Sequence, residues 1–121
     1  MILVDTSIWI DHLQKPEGTL FRMLDQQQVY SHPLIVGEIA MGSFRRRDAI
    51  VGQMSLLPTA TVADHLEVLS FVARHRLYGT GIGYIDAHLL ASAMLTPLTA
   101  LWTRDKRLRG VAERLGLSFR P

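Results

Sequence analysis

Four acidic residues of this 121-residue chain stand where a carboxylate can do more than decorate a surface: Asp5, Glu38, Asp86 and Asp105. Asp5 ends the apolar run Ile2-Leu3-Val4 and precedes two hydroxyls, Thr6 and Ser7. Glu38 is the only charged group within the segment Leu34–Met41, Asp86 lies near the start of the apolar stretch Tyr84–Leu95, and Asp105 follows Leu98–Trp102 by way of Thr103 and Arg104. If the four converge, they repel: two carboxylates ~4 Å apart oppose each other by roughly 4 kcal/mol at an effective dielectric near 20. Such a cluster holds protons or binds a cation. Its donors are hard oxygens, the chain has no cysteine, and its histidines show no metal-pair spacing. That chemistry favours Mg²⁺ or Mn²⁺ over zinc, and a water activated by such an ion can attack a phosphodiester. The expectation is that Asp5, Glu38, Asp86 and Asp105 are both metal ligands and catalytic groups. Each also has a local reading: a helix N-cap for Asp5 and Asp105, a dipole partner for Asp86, a surface side chain for Glu38. The hydroxyls of Thr6, Ser7 and Thr103 could orient ligands or simply cap helices.

The elements that must position these groups alternate along the chain. Met1–Val4 reads as a buried strand, Ser7–Leu13 as a short helix, and Lys15-Pro16-Glu17-Gly18 as a turn. Thr19–Gln28 carries Leu20, Phe21, Met23 and Leu24 at helical spacing, and Val29–Ser31 is β-prone. Pro33 suits the first position of a helix continuing through Leu34–Met41. Arg45–Leu57 predicts another helix, Thr59–Val62 a third strand, and Asp64 the cap of a helix ending at His75. Tyr84–Leu95 is poor in polar residues and should be buried on most sides. Leu98–Trp102 reads as a fourth strand, Lys106–Leu115 as an amphipathic helix stopped by Gly116, and Leu117–Phe119 as a last, edge strand. Such alternation argues for one α/β domain over residues 1–121, with a mostly parallel sheet of four to five strands covered by helices on both faces. In that architecture functional groups gather at the carboxyl ends of the strands, where Asp5 and Asp105 fall.

The composition, 48% hydrophobic and 20% charged, excludes a disordered chain. No apolar run approaches the ~20 residues of a membrane helix. With no cysteine to form disulfides, the expected setting is the cytoplasm, away from membranes. The net charge of +2 conceals an asymmetry: with four acids in one site, 13 basic groups face 7 remaining acids (11 − 4). An acidic pocket on a basic body suits an enzyme acting on a polyanion. Arg104, Lys106 and Arg107, with Arg109 nearby, flank Asp105 and could contact substrate phosphates, whereas Arg45–Arg47 reads as solvated surface. Gly79-Thr80-Gly81-Ile82-Gly83 lacks the ending of a phosphate-binding loop and reads as an approach to the Asp86 helix. His88 falls on another helix face than Asp86 and reads as structural. The apolar faces around Trp9 and Phe21 belong to the core or, where exposed, could receive a partner helix.

The blocks Val4-Asp5-Thr6-Ser7, Val36-Gly37-Glu38-Ile39, Gly83-Tyr84-Ile85-Asp86-Ala87-His88 and Thr103-Arg104-Asp105-Lys106-Arg107-Leu108 occur here in one order and spacing. Together they resemble the PIN-domain nucleases and, more narrowly, the VapC-type toxins of bacterial toxin–antitoxin pairs. The resemblance spans the chain. It implies a PIN-like three-layer sandwich and a Mg²⁺- or Mn²⁺-dependent endoribonuclease, in which Asp5, Glu38 and Asp86 match the principal acids and Asp105 a more variable fourth. Thr6, Ser7 and Thr103 match supporting hydroxyl positions. It further implies a homodimer held inactive by a cognate antitoxin. Two other arrangements are compatible with an acidic α/β site: a receiver-like signalling domain with its own Mg²⁺ site, and a PIN relative that binds RNA without cutting it. The receiver plan wants paired acids at the first strand end and a lysine ending a late strand; here Thr6 follows Asp5, and Lys106 opens a helix.

Overall fold

A computed structural model describes residues 1–121. Its elements run β1 (Ile2–Val4), α1 (Thr6–Gln14), α2 (Gly18–Asp25), β2 (Val29–Tyr30), α3 (Pro33–Ala40), α4 (Arg47–Ser55), α5 (His65–His75), α6 (Tyr84–Leu95), β3 (Ala100–Trp102) and α7 (Lys106–Arg114). The three strands are parallel in the order β2-β1-β3. Ile2 pairs with Val29 on one side and Ala100 on the other, and Val4 pairs with Trp102. The chain leaves β1 for one neighbour and later returns to the other, so strand order reverses at β1. Right-handed crossovers running in opposite directions put helices on both faces of the sheet. The reversal also opens a crevice at the carboxyl end of β1, where Asp5 begins the next segment.

Two of the expected strands are reduced to single bridges, Ser31 with Thr59 and Leu101 with Ser118, both parallel. The sheet therefore has three strands where four or five were expected, with one extra rung at each edge. At the first edge the reason is competition for donors. The N–H of Thr61 goes to Thr96 Oγ1 at 2.9 Å, and that of Ala63 goes to Ser92 Oγ at 3.3 Å. With those donors bound to side chains of α6 and its C-cap, the ladder stops after Thr59. Two helices are also shorter than their periodicity suggested: α2 stops at Asp25 before Gln27 turns left-handed, and α4 starts only after left-handed Arg46.

One cluster of buried apolar residues holds the layers together, with Leu3, Val4 and Leu101 from the sheet and Ile8, Leu20, Ile35, Leu89 and Leu108 from the helices. α6 is its central helix: every residue from Ala87 to Ala93 is buried, as its lack of polar residues foretold. It packs on β3 and α5, which fixes the height of its first turn, and so of Asp86, relative to the strand ends. α3 packs on α1, bringing Glu38 towards the first turn of α1. No helix is long and apolar enough to cross a membrane.

Candidate active site

β1 and β3 end side by side, and their exits supply the innermost part of the site. Asp5 is buried, with 7% of its surface exposed. Its Oδ2 accepts hydrogen bonds from Thr103 Oγ1 at 2.7 Å and Ser7 Oγ at 2.9 Å. Each hydroxyl in turn accepts a backbone N–H at 3.1 Å, Ser7 from Arg104 and Thr103 from Asp105. The amides fill the hydroxyl lone pairs from behind, so both hydroxyl protons point at the carboxylate. Asp5 occupies the N-cap position of α1 yet caps no backbone amide. The capping explanation therefore does not account for its side chain. The hydrogen bonds from the hydroxyls all fall on Oδ2, and no hydrogen bond from the chain reaches Oδ1.

The other acids arrive from three separate elements. Glu38, exposed on α3, accepts from Thr6 Oγ1 at 2.8 Å, so the first residue of α1 tethers it. Asp86, half-buried in the first turn of α6, accepts from the Gly83 N–H at 3.3 Å. Burial pushes its carboxyl above the ordinary carboxylate range; the Gly83 bond opposes this, and the charges of Asp5, Asp105 and Glu38 add to it. Asp105 caps α7, its Oδ1 accepting from the Leu108 N–H at 2.9 Å. Here the local reading holds, and Oδ2 keeps its lone pairs for another partner. All four acids share one electrostatic field. No three acidic or histidine side chains are drawn into a closed ligand cage. Mutual repulsion is a sufficient reason for that spacing.

The donor set fits a hard cation that keeps several of its own waters: carboxylate oxygens from four elements, hydroxyls behind them, no sulfur and no imidazole facing them. His88 is buried in α6, edge-on to His32 at 5.2 Å and to Tyr84 at 5.9 Å between ring centroids. Trp9 packs in the core, whereas Phe21 stands 65% exposed on α2.

The family model description that matches residues 2–114 is the PIN domain. Ribonuclease VapC32 of Mycobacterium tuberculosis, in strains CDC 1551 / Oshkosh and H37Rv, is 42% identical over 119 residues, covering 98% of this chain and 96% of that protein. This chain belongs to the VapC-type PIN-domain family. The fold agrees: the crystal structure of FitAcB from Neisseria gonorrhoeae superposes with a TM-score of 0.64, at 21% identity, covering 93% of this chain and 94% of that one. Family membership removes the receiver-like arrangement, and this PIN domain assembles none of its parts: Thr6 follows Asp5, and Lys106 lies inside α7.

Among the basic residues expected near the site, the PIN domain treats each differently. Arg104 forms ion pairs with Asp11 and, at 3.2 Å, with Glu17, tying the exit of β3 to α1 and to the start of α2. Glu17 is held below the ordinary carboxylate range by the Thr19 N–H, against some burial, with help from Arg104. Arg104 is thus committed to the chain itself. Arg109 donates to the Arg104 carbonyl at 3.2 Å, while Lys106 and Arg107 enter none of the ion pairs. Sequence reasoning missed Asp11 and Glu17 as partners. The only available signal was their spacing: Asp11 recurs one turn after Ser7 on α1.

Proposed function

We propose that this PIN domain is a metal-dependent endoribonuclease that hydrolyses RNA phosphodiester bonds and acts as the toxin of a type II toxin–antitoxin pair. The observation that carries the reading is the shared field of Asp5, Glu38, Asp86 and Asp105 at one crevice, registered in the raised pKa of Asp86. The similarity to Ribonuclease VapC32 supports RNA as the substrate. On this reading Asp5, Glu38, Asp86 and Asp105 hold Mg²⁺, or Mn²⁺ in its place. When bound, such an ion supplies a water of lowered pKa and neutralises charge on the phosphate. The chain's own residues do the orienting. Thr103 and Ser7 fix the rotamer of Asp5, Thr6 restrains the otherwise exposed Glu38, and the Gly83 amide steers Asp86.

The remaining parts of the reading concern partners and setting. The protein acts in the cytoplasm as a homodimer, restrained by a small cognate antitoxin. Exposed apolar side chains such as Phe21 are suited to a partner helix. A non-catalytic RNA-binding role is disfavoured by the full complement of acids.

The test is cleavage of labelled single-stranded RNA by purified protein in Mg²⁺, in Mn²⁺ and in EDTA, alongside Asp5→Asn. Cleavage should require the added cation, and the variant should lose about 10²- to 10³-fold in rate, the usual effect of removing one preorganised electrostatic group. A folded Asp5→Asn protein as active as wild type would overturn the assignment. Undiminished cleavage in EDTA would remove the metal.

A further inference from the structure

Arg107 lies in the second position of α7, two residues after the capping Asp105, and its side chain crosses to the loop that delivers Asp86. The contact is with Gly81: a Cβ built there would stand 3.0 Å from Arg107 Cδ, 3.1 Å from Nη1 and 3.3 Å from Nε. Gly81 has φ +87°, a left-handed conformation that side-chained residues rarely adopt. Two requirements, backbone and space, therefore meet at one glycine. What it makes room for is a guanidinium laid between the element carrying Asp105 and the turn before Asp86. That guanidinium has no carboxylate partner, since the ion pairs of the chain use Arg47, Arg104 and Arg120. Of the neighbouring cations, Arg104 is bound to Asp11 and Glu17, and Arg109 donates to a carbonyl. Lys106 is exposed, with neither hydrogen bond nor ion pair to hold it in one place.

Resting on the ribonuclease reading above, we propose that Arg107 is the substrate-phosphate-binding residue of this site, and that Gly81 is the notch that holds its side chain at the rim of the acids. A polyanion approaching four carboxylates needs an anchoring cation close to the scissile position but outside the acidic field. A guanidinium whose stem is pinned loses less freedom on binding than a lysine in solvent, and its planar fork can meet two phosphate oxygens at once. Arg104 is, by contrast, a positioning residue: it fixes the β3 exit and so the hydroxyl of Thr103.

The experiment measures binding of a fluorescent single-stranded oligoribonucleotide by anisotropy in EDTA, across a range of salt, together with steady-state cleavage in Mg²⁺. Arg107→Ala should weaken binding about fivefold and lower the slope of log affinity against log salt by about 0.7, the value for one phosphate contact on a single strand. KM should rise by a similar factor with kcat little changed, and Arg107→Lys should recover part of the loss. Gly81→Ala should weaken binding in the wild-type background and add nothing to Arg107→Ala, because both remove one contact. Arg114→Ala, about two turns further along α7, should match wild type in both assays. Melting curves establish that each variant is folded; the exposed Arg107 variants decide the matter if Gly81→Ala is not. Wild-type protein that binds and cuts RNA while Arg107→Ala equals it in affinity and salt slope would overturn this assignment and leave the ribonuclease reading standing. Wild-type protein that neither binds nor cuts RNA would overturn both.

Discussion

At the scale of single residues, the site is a set of carboxylates whose surroundings differ although their chemistry is the same. Asp5 is buried, and its Oδ2 receives two hydroxyl protons. Asp86 receives one long backbone bond and is pushed upward by burial and three neighbouring charges. An acid whose folded pKa is raised favours the folded state while protonated and penalises it once ionised. Its contribution to stability is complete below the ordinary carboxylate value of 3.8 and is lost as pH rises through the folded value. Asp86→Asn should therefore melt higher than wild type at pH 7 in EDTA. The gain should shrink below about pH 4, where Asp86 of the wild type is protonated in both states. Melting curves at the two pH values check this, and a variant less stable than wild type at pH 7 would mean that the Gly83 bond outweighs the repulsion. Each acid could be singled out in the sequence, because each is a charged residue within or close to an apolar run. What could not be read there is which local role survives: Asp105 caps its helix and Asp5 does not, and the approach of Thr103 from the far end of the chain, beside the neighbouring Ser7, decides it.

The elements are held at the right height by a polar thread through the core. His32, 1% exposed, caps α3: its Nδ1 accepts the Leu34 N–H at 3.1 Å, so the neutral ring carries its proton on Nε2, 3.0 Å from Ser92 Oγ. Ser92 also accepts from Ala63 and so joins α3, α6 and the segment between Thr59 and Asp64. Burial, reinforced by His88, lowers His32 to about 4. A histidine depressed in the folded state binds its proton more readily when unfolded, so stability is lost as pH falls from about 6.5 towards 4. Ser92→Ala would leave two buried donors unpaired, at a cost of about 2 to 3 kcal/mol, or a fall of roughly 10 °C in melting temperature for a domain of this size. A loss under 1 kcal/mol would show that the thread is not a support. This thread also explains where sequence reading of the elements stopped. Apolar periodicity located every helix, and the strands β1, β2 and β3 were legible as short apolar runs. The edge strand at Thr59 failed because Ser92 of α6 and Thr96 at its C-terminal end take the backbone donors that a ladder would need.

For the whole molecule, the carboxylates that the strand order collects at β1 repel one another, and the proposed cation would offset that repulsion. The four acids stand on four different stretches of the chain, so their repulsion acts between elements rather than within one local turn. Removing divalent ions with EDTA should leave the protein folded, since one continuous apolar core holds the layers together. Adding Mg²⁺ or Mn²⁺ should then raise the melting temperature. An ion at 100 times its dissociation constant adds about 2.7 kcal/mol if it binds only the folded state, which corresponds to roughly 10 °C here. Asp5→Asn should show little of that rise and, with one charge fewer, should melt slightly above wild type in EDTA. The two measurements belong together because they carry opposite signs: the same carboxylate destabilises the metal-free fold and stabilises the metal-loaded one. A melting temperature unmoved by Mg²⁺ and Mn²⁺, or raised equally in wild type and Asp5→Asn, would mean that these acids do not bind the ion as a group. A clear fall in EDTA alone would instead assign the cation a structural place in the fold.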